Sequence, residues 1–165
     1  MLSDRACGIR LRGWRDDPAD IAALVAAWRD PSVASANPVP SDPSPGAARR
    51  WIAGESERRL RGLALDLVIS PFDGDIVWGE VGLRGFDAAI RRAEVGWWLA
   101  TEARGRGVAA AAVDLVATWA LAEPLGLRQV WARIDPGNAA SSRVAAAAGF
   151  RLLGRAGGGE VWARP

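Results

Sequence analysis

Hydrophobic positions along this chain follow two periods, and the switches between them mark its elements. Ile9-Arg-Leu-Arg12 alternates and predicts a short strand. Asp16-Asp17-Pro18 opens a helix on which Ile21, Leu24, Val25 and Trp28 recur at helical spacing. Asp30 to Pro45 is rich in Pro, Ser and Asn and predicts a loop. Gly46 to Arg61 sets Trp51, Ile52 and Leu60 among charges and predicts one helix. Leu63 to Ile69 reads as a strand, and Pro71-Phe-Asp-Gly-Asp75 as the turn of a hairpin into Ile76 to Phe86. Asp87 to Arg92 connects to a further strand, Ala93 to Leu99. The next helix runs from Gly107 to Ala122, with Val108, Ala111, Val113, Leu115, Val116 and Trp119 apolar, and Pro124 and Gly126 stop it. Arg128 to Ile134 is a strand, Asp135-Pro-Gly-Asn138 a turn, and Ala139 to Ala148 a short helix ended by Gly149. Phe150 to Leu153 and Glu160 to Ala163 are the last two strands. The order β-α-α-β-β-β-α-β-α-β-β predicts an α+β fold with a mixed sheet, in a single domain spanning residues 1–165.

Composition narrows the chemistry more than the fold. At this length roughly two-thirds of the unfolded surface is buried, so a real core is expected. No apolar run approaches the ~18 residues of a spanning helix, and Met-Leu-Ser-Asp-Arg-Ala-Cys lacks the order of a signal peptide. The single cysteine, Cys7, cannot form an internal disulfide and fits a reducing compartment, so the cytoplasm is the expected location. The chain has no His, and its 21 basic residues are all Arg. That excludes a Ser-His-Asp triad, histidine metal sites and a Schiff-base lysine. No metal site is expected, and acid–base work falls to Asp, Glu, Ser, Thr, Cys, a chain terminus or water. The net charge of +2 gives little support to a nucleic-acid partner.

One segment carries a specific chemistry. Ala103-Arg-Gly-Arg-Gly-Val-Ala109 runs from an Arg/Gly turn into an alanine-rich helix, just after the strand Glu94-Val-Gly-Trp-Trp-Leu99. The first-turn N–H groups of a helix have no intrahelical partner, and the dipole there is positive. Glycines let a phosphate approach such a backbone. The segment therefore predicts an anion site suited to a pyrophosphate. Gly105-x-Gly107 lacks the Walker lysine and the spacing of a dinucleotide fingerprint, which weakens a nucleotide-binding reading.

With this turn and Asp135-Pro-Gly-Asn-Ala-Ala-Ser141 both in view, the chain resembles the GNAT N-acetyltransferases, and within them the ribosomal-protein alanine acetyltransferase branch. The resemblance runs from Leu11-Arg-Gly-Trp14 through Gly79-Glu-Val-Gly-Leu83, Ala93 to Leu99 and Arg104 to Ala109, and ends at Ala148-Gly-Phe150. The family signature Gln/Arg-x-x-Gly-x-Gly/Ala is met by Arg104, Gly107 and Ala109. The resemblance implies a twisted, mostly antiparallel sheet of six to seven strands with about four helices, and a strand pair that splays at the cofactor cleft. It implies acetyl-coenzyme A (acetyl-CoA) as acyl donor and a primary amine as acceptor, either a protein N-terminus or a small molecule. The alternative is a coenzyme A-binding regulatory or interaction module without catalysis. Membrane is not among the implied partners, and an exposed sheet edge could support a homodimer.

Site residues follow from the resemblance position by position. Arg104, Gly105, Arg106, Gly107, Val108 and Ala109 would cradle the pyrophosphate; Trp98 and Leu99 would lie along the pantetheine arm, and Asn138 would bind that arm. Glu94 is the candidate base, against a purely structural pairing with Arg91 or Arg92, and Glu80 is the reserve. Family members often protonate the leaving thiolate with a tyrosine. This chain has none, and Ser141 is the candidate in its place, against a role for Ser141 or Ser142 in bonding helix backbone. Asn138 also reads as a helix N-cap. Trp28, Trp51 and Trp119 are expected in the core. Trp14 and Trp97, with Trp98, are candidates for lining the acceptor cleft, and the Pro31–Pro45 loop for one of its walls.

Overall fold

The computed structural model describes residues 2–165. Its order is β1 (Leu2–Asp4), β2 (Ile9–Arg12), α1 (Pro18–Arg29), α2 (Pro31–Ala34), α3 (Pro45–Ala53), α4 (Glu55–Leu60), β3 (Ala64–Pro71), β4 (Gly79–Asp87), β5 (Arg92–Leu99), α5 (Val108–Leu121), β6 (Gln129–Ile134), α6 (Ala139–Ala147), β7 (Arg151–Ala156) and β8 (Gly159–Arg164), with a 3₁₀ turn at Thr101–Ala103. The expected α+β architecture with one mixed sheet is present, and the predicted elements recur with small shifts at their ends.

Three local features differ from expectation. The three-residue β1 adds an eighth strand; it is too short to carry an alternation signal, and it forms because β2 offers it an edge. Inside the predicted loop, Asp30 caps the single turn α2 by accepting from Ser32 N–H, with Pro31 at its first position. The helix expected over Gly46–Arg61 divides at Gly54 into α3 and α4.

The sheet order is β1-β2-β3-β4-β5-β6-β8-β7. Every neighbour is antiparallel except β5 and β6. Parallel neighbours need a crossover, and α5 supplies it. α5 lies across β1, β2, β4, β5 and β6. Its buried positions, Val108, Ala109, Ala112, Val113, Val116, Ala117 and Ala120, fall on one face, and the alanines let the helix sit close to the strands. The opposite face is covered by α1 and α3 over a second cluster that contains Trp14, Trp28, Ile52, Val68 and Trp98. Trp28 lies in that core as expected, with Trp51 packed against it, and Trp119 packs against the first cluster.

A buried ion pair fixes α1 to the sheet. Arg12 donates to Asp20 through two nitrogens at 2.6 and 2.7 Å, and Asp20 also accepts from Arg15 N–H at 2.9 Å. The two side chains are 4 % and 1 % exposed. Arg12 donates onward to the Asp75 carbonyl at 3.1 Å, so the β3–β4 connection is held by the same residue.

β5 and β6 pair only at Arg92–Gln129, Ala93–Val130 and Glu94–Trp131. Beyond those residues the two strands part, as the splayed pair predicts. Their outer sides are bonded to β4 and β8, so the facing edges of β5 and β6 keep unpaired backbone groups. No helix among the described residues is long and apolar enough to cross a membrane.

Candidate active site

The loop between β5 and α5 carries two residues in the left-handed region, Gly105 (φ 73°) and Gly107 (φ 76°). Only glycine adopts that conformation without strain. The first amide bond into α5 runs from Ala111 N–H to the Gly107 carbonyl. The N–H groups of the six residues from Gly105 to Ala110 have no acceptor among the described residues. Side chains cap α1, α2, α3 and α6, but α5, the longest helix, begins at Gly107 with no side-chain cap. A row of converging amides at a positive dipole end binds an anion.

This loop opens into a groove of about 750 Å³ that runs from the end of β5 to the connection that follows β6. Trp97, Trp98 and Leu99 form one side, Asn138, Ser141 and Val144 of the β6–α6 region another, and Ser32 to Asn37 a third. The Pro/Ser segment supplies this wall through α2 and the residues after it.

The structure gathers most of the residues singled out in the sequence and separates a few. Gly105, Gly107, Val108 and Ala109 line the groove with Trp98, Leu99 and Asn138. Arg104 lines it too, but its guanidinium is engaged: Nε donates to the Leu99 carbonyl at 3.0 Å, and Nη2 to Asp30 at 2.8 Å and Ser32 Oγ at 3.1 Å. It ties the amide loop to α2. Arg106 lies outside the groove lining, with its guanidinium 4.5 Å from the centre of the Trp78 ring. Asn138 is an N-cap: its Oδ1 accepts from Ser141 N–H at 3.1 Å, which leaves Nδ2 without an acceptor among the described residues.

Ser141 Oγ makes no hydrogen bond among the described residues and faces the groove, whereas Ser142 Oγ bonds the Asn138 carbonyl and Glu160. The backbone-bonding alternative therefore describes Ser142. Glu160, which holds both Ser142 Oγ at 2.8 Å and Trp162 Nε1 at 3.0 Å, was not visible as a site residue from sequence. Its partner on α6, Ser142, is 18 residues away, and no spacing rule links the two. Those two donors hold its carboxyl below the usual range.

Glu94 projects from the opposite face of β5 into a small chamber of about 40 Å³, shared with Asn37, Arg84, Arg133, Asp135 and Ser141. It pairs with Arg84 at 2.9 Å, and not with Arg91 or Arg92. Cross-strand register explains the partner, because Arg84 of β4 stands opposite Glu94 of β5. Ser141 lines both spaces, so the chamber and the groove meet at the splay.

Trp14 and Glu80 lie elsewhere. Trp14 is 9 % exposed, stacks on Trp98, and donates its indole N–H to Glu80 at 2.7 Å. It supports the groove wall from behind and does not line the small chamber. The Glu80 carboxyl is pushed up to about 8, chiefly because burial penalises its charge and secondly because Asp66 is near. The indole donors of Trp14 and Trp98 and the charge of Arg58 oppose the rise. Glu80 is thus protonated at neutral pH, and it faces neither space. The native state holds this proton and the unfolded chain does not, so stability falls as pH rises from about 4.5 to about 8. Urea unfolding of Glu80→Gln is expected to match the wild type at about pH 4 and to exceed it by a growing margin up to about pH 8. Equal loss in both proteins would place the pH dependence in another group.

Among the described residues no group of three or more His, Cys, Asp or Glu gathers as a metal site. The family model for the acetyltransferase (GNAT) domain matches residues 9–151. A Bacillus subtilis protein, YdaF, named provisionally as a ribosomal N-acetyltransferase, is 35% identical over 85 residues. The match covers 52% of this chain and 45% of YdaF, so the chain matches about half the length of that relative. Mycobacterium smegmatis RimJ, solved with a coenzyme A disulfide, superposes with a TM-score of 0.80 at 22% identity, over 96% of this chain and 82% of that one. The microcin C7 self-immunity acetyltransferase MccE, solved with acetyl-CoA and AMP, gives a TM-score of 0.80 at 17% identity, over 95% and 92%. At those identities the two structures bear on the fold alone.

Proposed function

Since this chain belongs to the GNAT acetyltransferase family, we propose that it is an N-acetyltransferase domain that moves the acetyl group of acetyl-CoA onto a primary amine. The observation that carries this reading is the run of six unpartnered amides from Gly105 to Ala110 at the mouth of a splayed strand pair. Those amides hold the pyrophosphate of the cofactor. The pantetheine arm enters between β5 and β6, where its amides bond the open strand edges as an added strand would. Trp98 and Leu99 flank it, and Asn138 Nδ2 is free to bond its carbonyls.

The thioester then lies where groove and chamber meet. An uncharged amine in the chamber attacks the thioester carbonyl carbon. The C–N bond forms, and an inner-edge amide of β5 stabilises the oxyanion. Glu94 takes the proton from the amine, directly or through water, and the C–S bond breaks. Ser141 Oγ, which has no competing partner among the described residues, passes a solvent proton to the departing thiolate. Holding the two reactants across the splay supplies much of the rate. The similarity to YdaF, named provisionally as a ribosomal N-acetyltransferase, favours a protein acceptor over a free small molecule.

The cofactor half of this reading is tested by calorimetry with coenzyme A. The wild type is expected to bind one equivalent. In Gly107→Val the side chain cannot take the left-handed conformation, the amide row is re-aimed, and affinity falls about tenfold or more. Unchanged affinity would place the pyrophosphate elsewhere.

A further inference from the structure

Charge around the chamber points to the kind of amine it accepts. On the face of the sheet opposite α5, alternation and register bring Glu94 of β5 beside Trp131 of β6, with Arg133 and Asp135 following on the same face. Arg84, Glu94, Arg133 and Asp135 all line the chamber. Arg84 and Glu94 satisfy each other. Arg133 and Asp135 are exposed, and neither forms a salt bridge among the described residues. Outside the chamber the Trp131 ring lies between two guanidinium groups, Arg133 at 5.9 Å and Arg92 at 5.8 Å from its centre. Arg92 also lacks a carboxylate partner among the described residues.

The chamber has room for an amine head group and little more. The remainder of an acceptor must lie outside it, and Trp131 with its two arginines stands on the same face of the sheet. Asp135 and Arg133 in the chamber lining, and Arg92 beside Trp131 on the same face, leave one carboxylate and two guanidinium groups without ion-pair partners among the described residues, which makes a dipolar surface. We propose that the acceptor is a peptide N-terminus followed by acidic residues. Its ammonium is drawn in by Glu94 and Asp135, and its next carboxylates meet Arg133 and Arg92. A polycation such as a polyamine would set its second charge against those arginines. This proposal rests on the transferase reading above and names the acceptor class for the same site.

The test uses alanine-initiated peptides that are identical except at the second and third residues, which are both Asp, both Ser or both Arg, with spermidine as a polycation. Initial rates of acetyl-CoA consumption give kcat/KM for each. The acidic peptide is expected to exceed the neutral one by about three- to tenfold, mostly through KM, and the basic peptide and spermidine to rank last. Arg133→Glu should reverse the order of acidic and basic peptides, and Arg92→Glu should narrow the gap. Equal rates, a basic preference, or an acidic preference that survives both substitutions would overturn the proposal. Peptide binding to the protein loaded with coenzyme A, followed by tryptophan fluorescence, separates the two claims. Selective acidic-peptide binding with no turnover would overturn the transferase reading and support the surface. Turnover without charge preference would support the transferase and overturn the surface.

Discussion

Glu94→Gln is expected to lower kcat/KM for the amine acceptor by about 10²- to 10⁴-fold near neutral pH. The loss should fall mainly on kcat. Glutamine keeps the shape of the side chain and a bonding oxygen for Arg84, but it cannot take a proton from the amine. Coenzyme A affinity should hold, because Glu94 lies in the chamber and not in the cofactor groove. A variant whose kcat is unchanged would remove Glu94 from proton transfer and leave the Arg84 pair as its role.

The second large effect is on stability. Arg12→Met is expected to destabilise the protein by about 3–5 kcal/mol, because it strands the Asp20 carboxylate in a buried site. The Arg15 N–H that Asp20 also accepts cannot replace a guanidinium. The double variant Arg12→Met/Asp20→Leu removes both charges and should recover much of that loss, since two apolar side chains can replace a buried ion pair. Urea unfolding of the single and double variants measures both. If Arg12→Met alone cost under about 1 kcal/mol, the pair would be behaving as a surface salt bridge.

These two residues also divide what the sequence disclosed from what it hid. The Arg/Gly loop was legible because its chemistry is local: two glycines, a strand before and a helix after suffice to expose a row of amides. The splay was legible only through resemblance, since nothing in β5 or β6 alone says where their ladder stops. Sequence offers Arg91 and Arg92 as the alternative partners of Glu94 because they are its neighbours along the chain, whereas Arg84 is its neighbour across the ladder. The Arg12–Asp20 pair left no pattern, because Arg12 ends a strand that alternates and Asp20 stands in the ordinary acidic first turn of a helix.

Arg104 and Trp14 were drawn to the site by position and used otherwise by the fold. Arg104 stands next to the amide row, but Asp30 and Ser32 take its guanidinium because the preceding loop folds into α2. Trp14 follows a strand that leads toward the cleft, but its indole is turned inward to Glu80 and Trp98. In both cases a tertiary neighbour from a distant segment decided the side chain's direction. Ser141 and Ser142 show the opposite outcome. They are adjacent and chemically identical, and helix geometry alone sends one hydroxyl into the groove and the other to Glu160.

The central claim is acetyl transfer across the splay between β5 and β6. Its most direct test follows free thiol released from acetyl-CoA and acetylated amine formed in the same reaction, with an alanine-initiated acidic peptide and with no acceptor. Equal amounts of thiol and acetylated peptide, with little thiol when the peptide is omitted, are the predicted result. Tight coenzyme A binding with no acetylated product across acidic, neutral and basic peptides and small amines would contradict it, and would leave a cofactor-binding module that does not catalyse transfer.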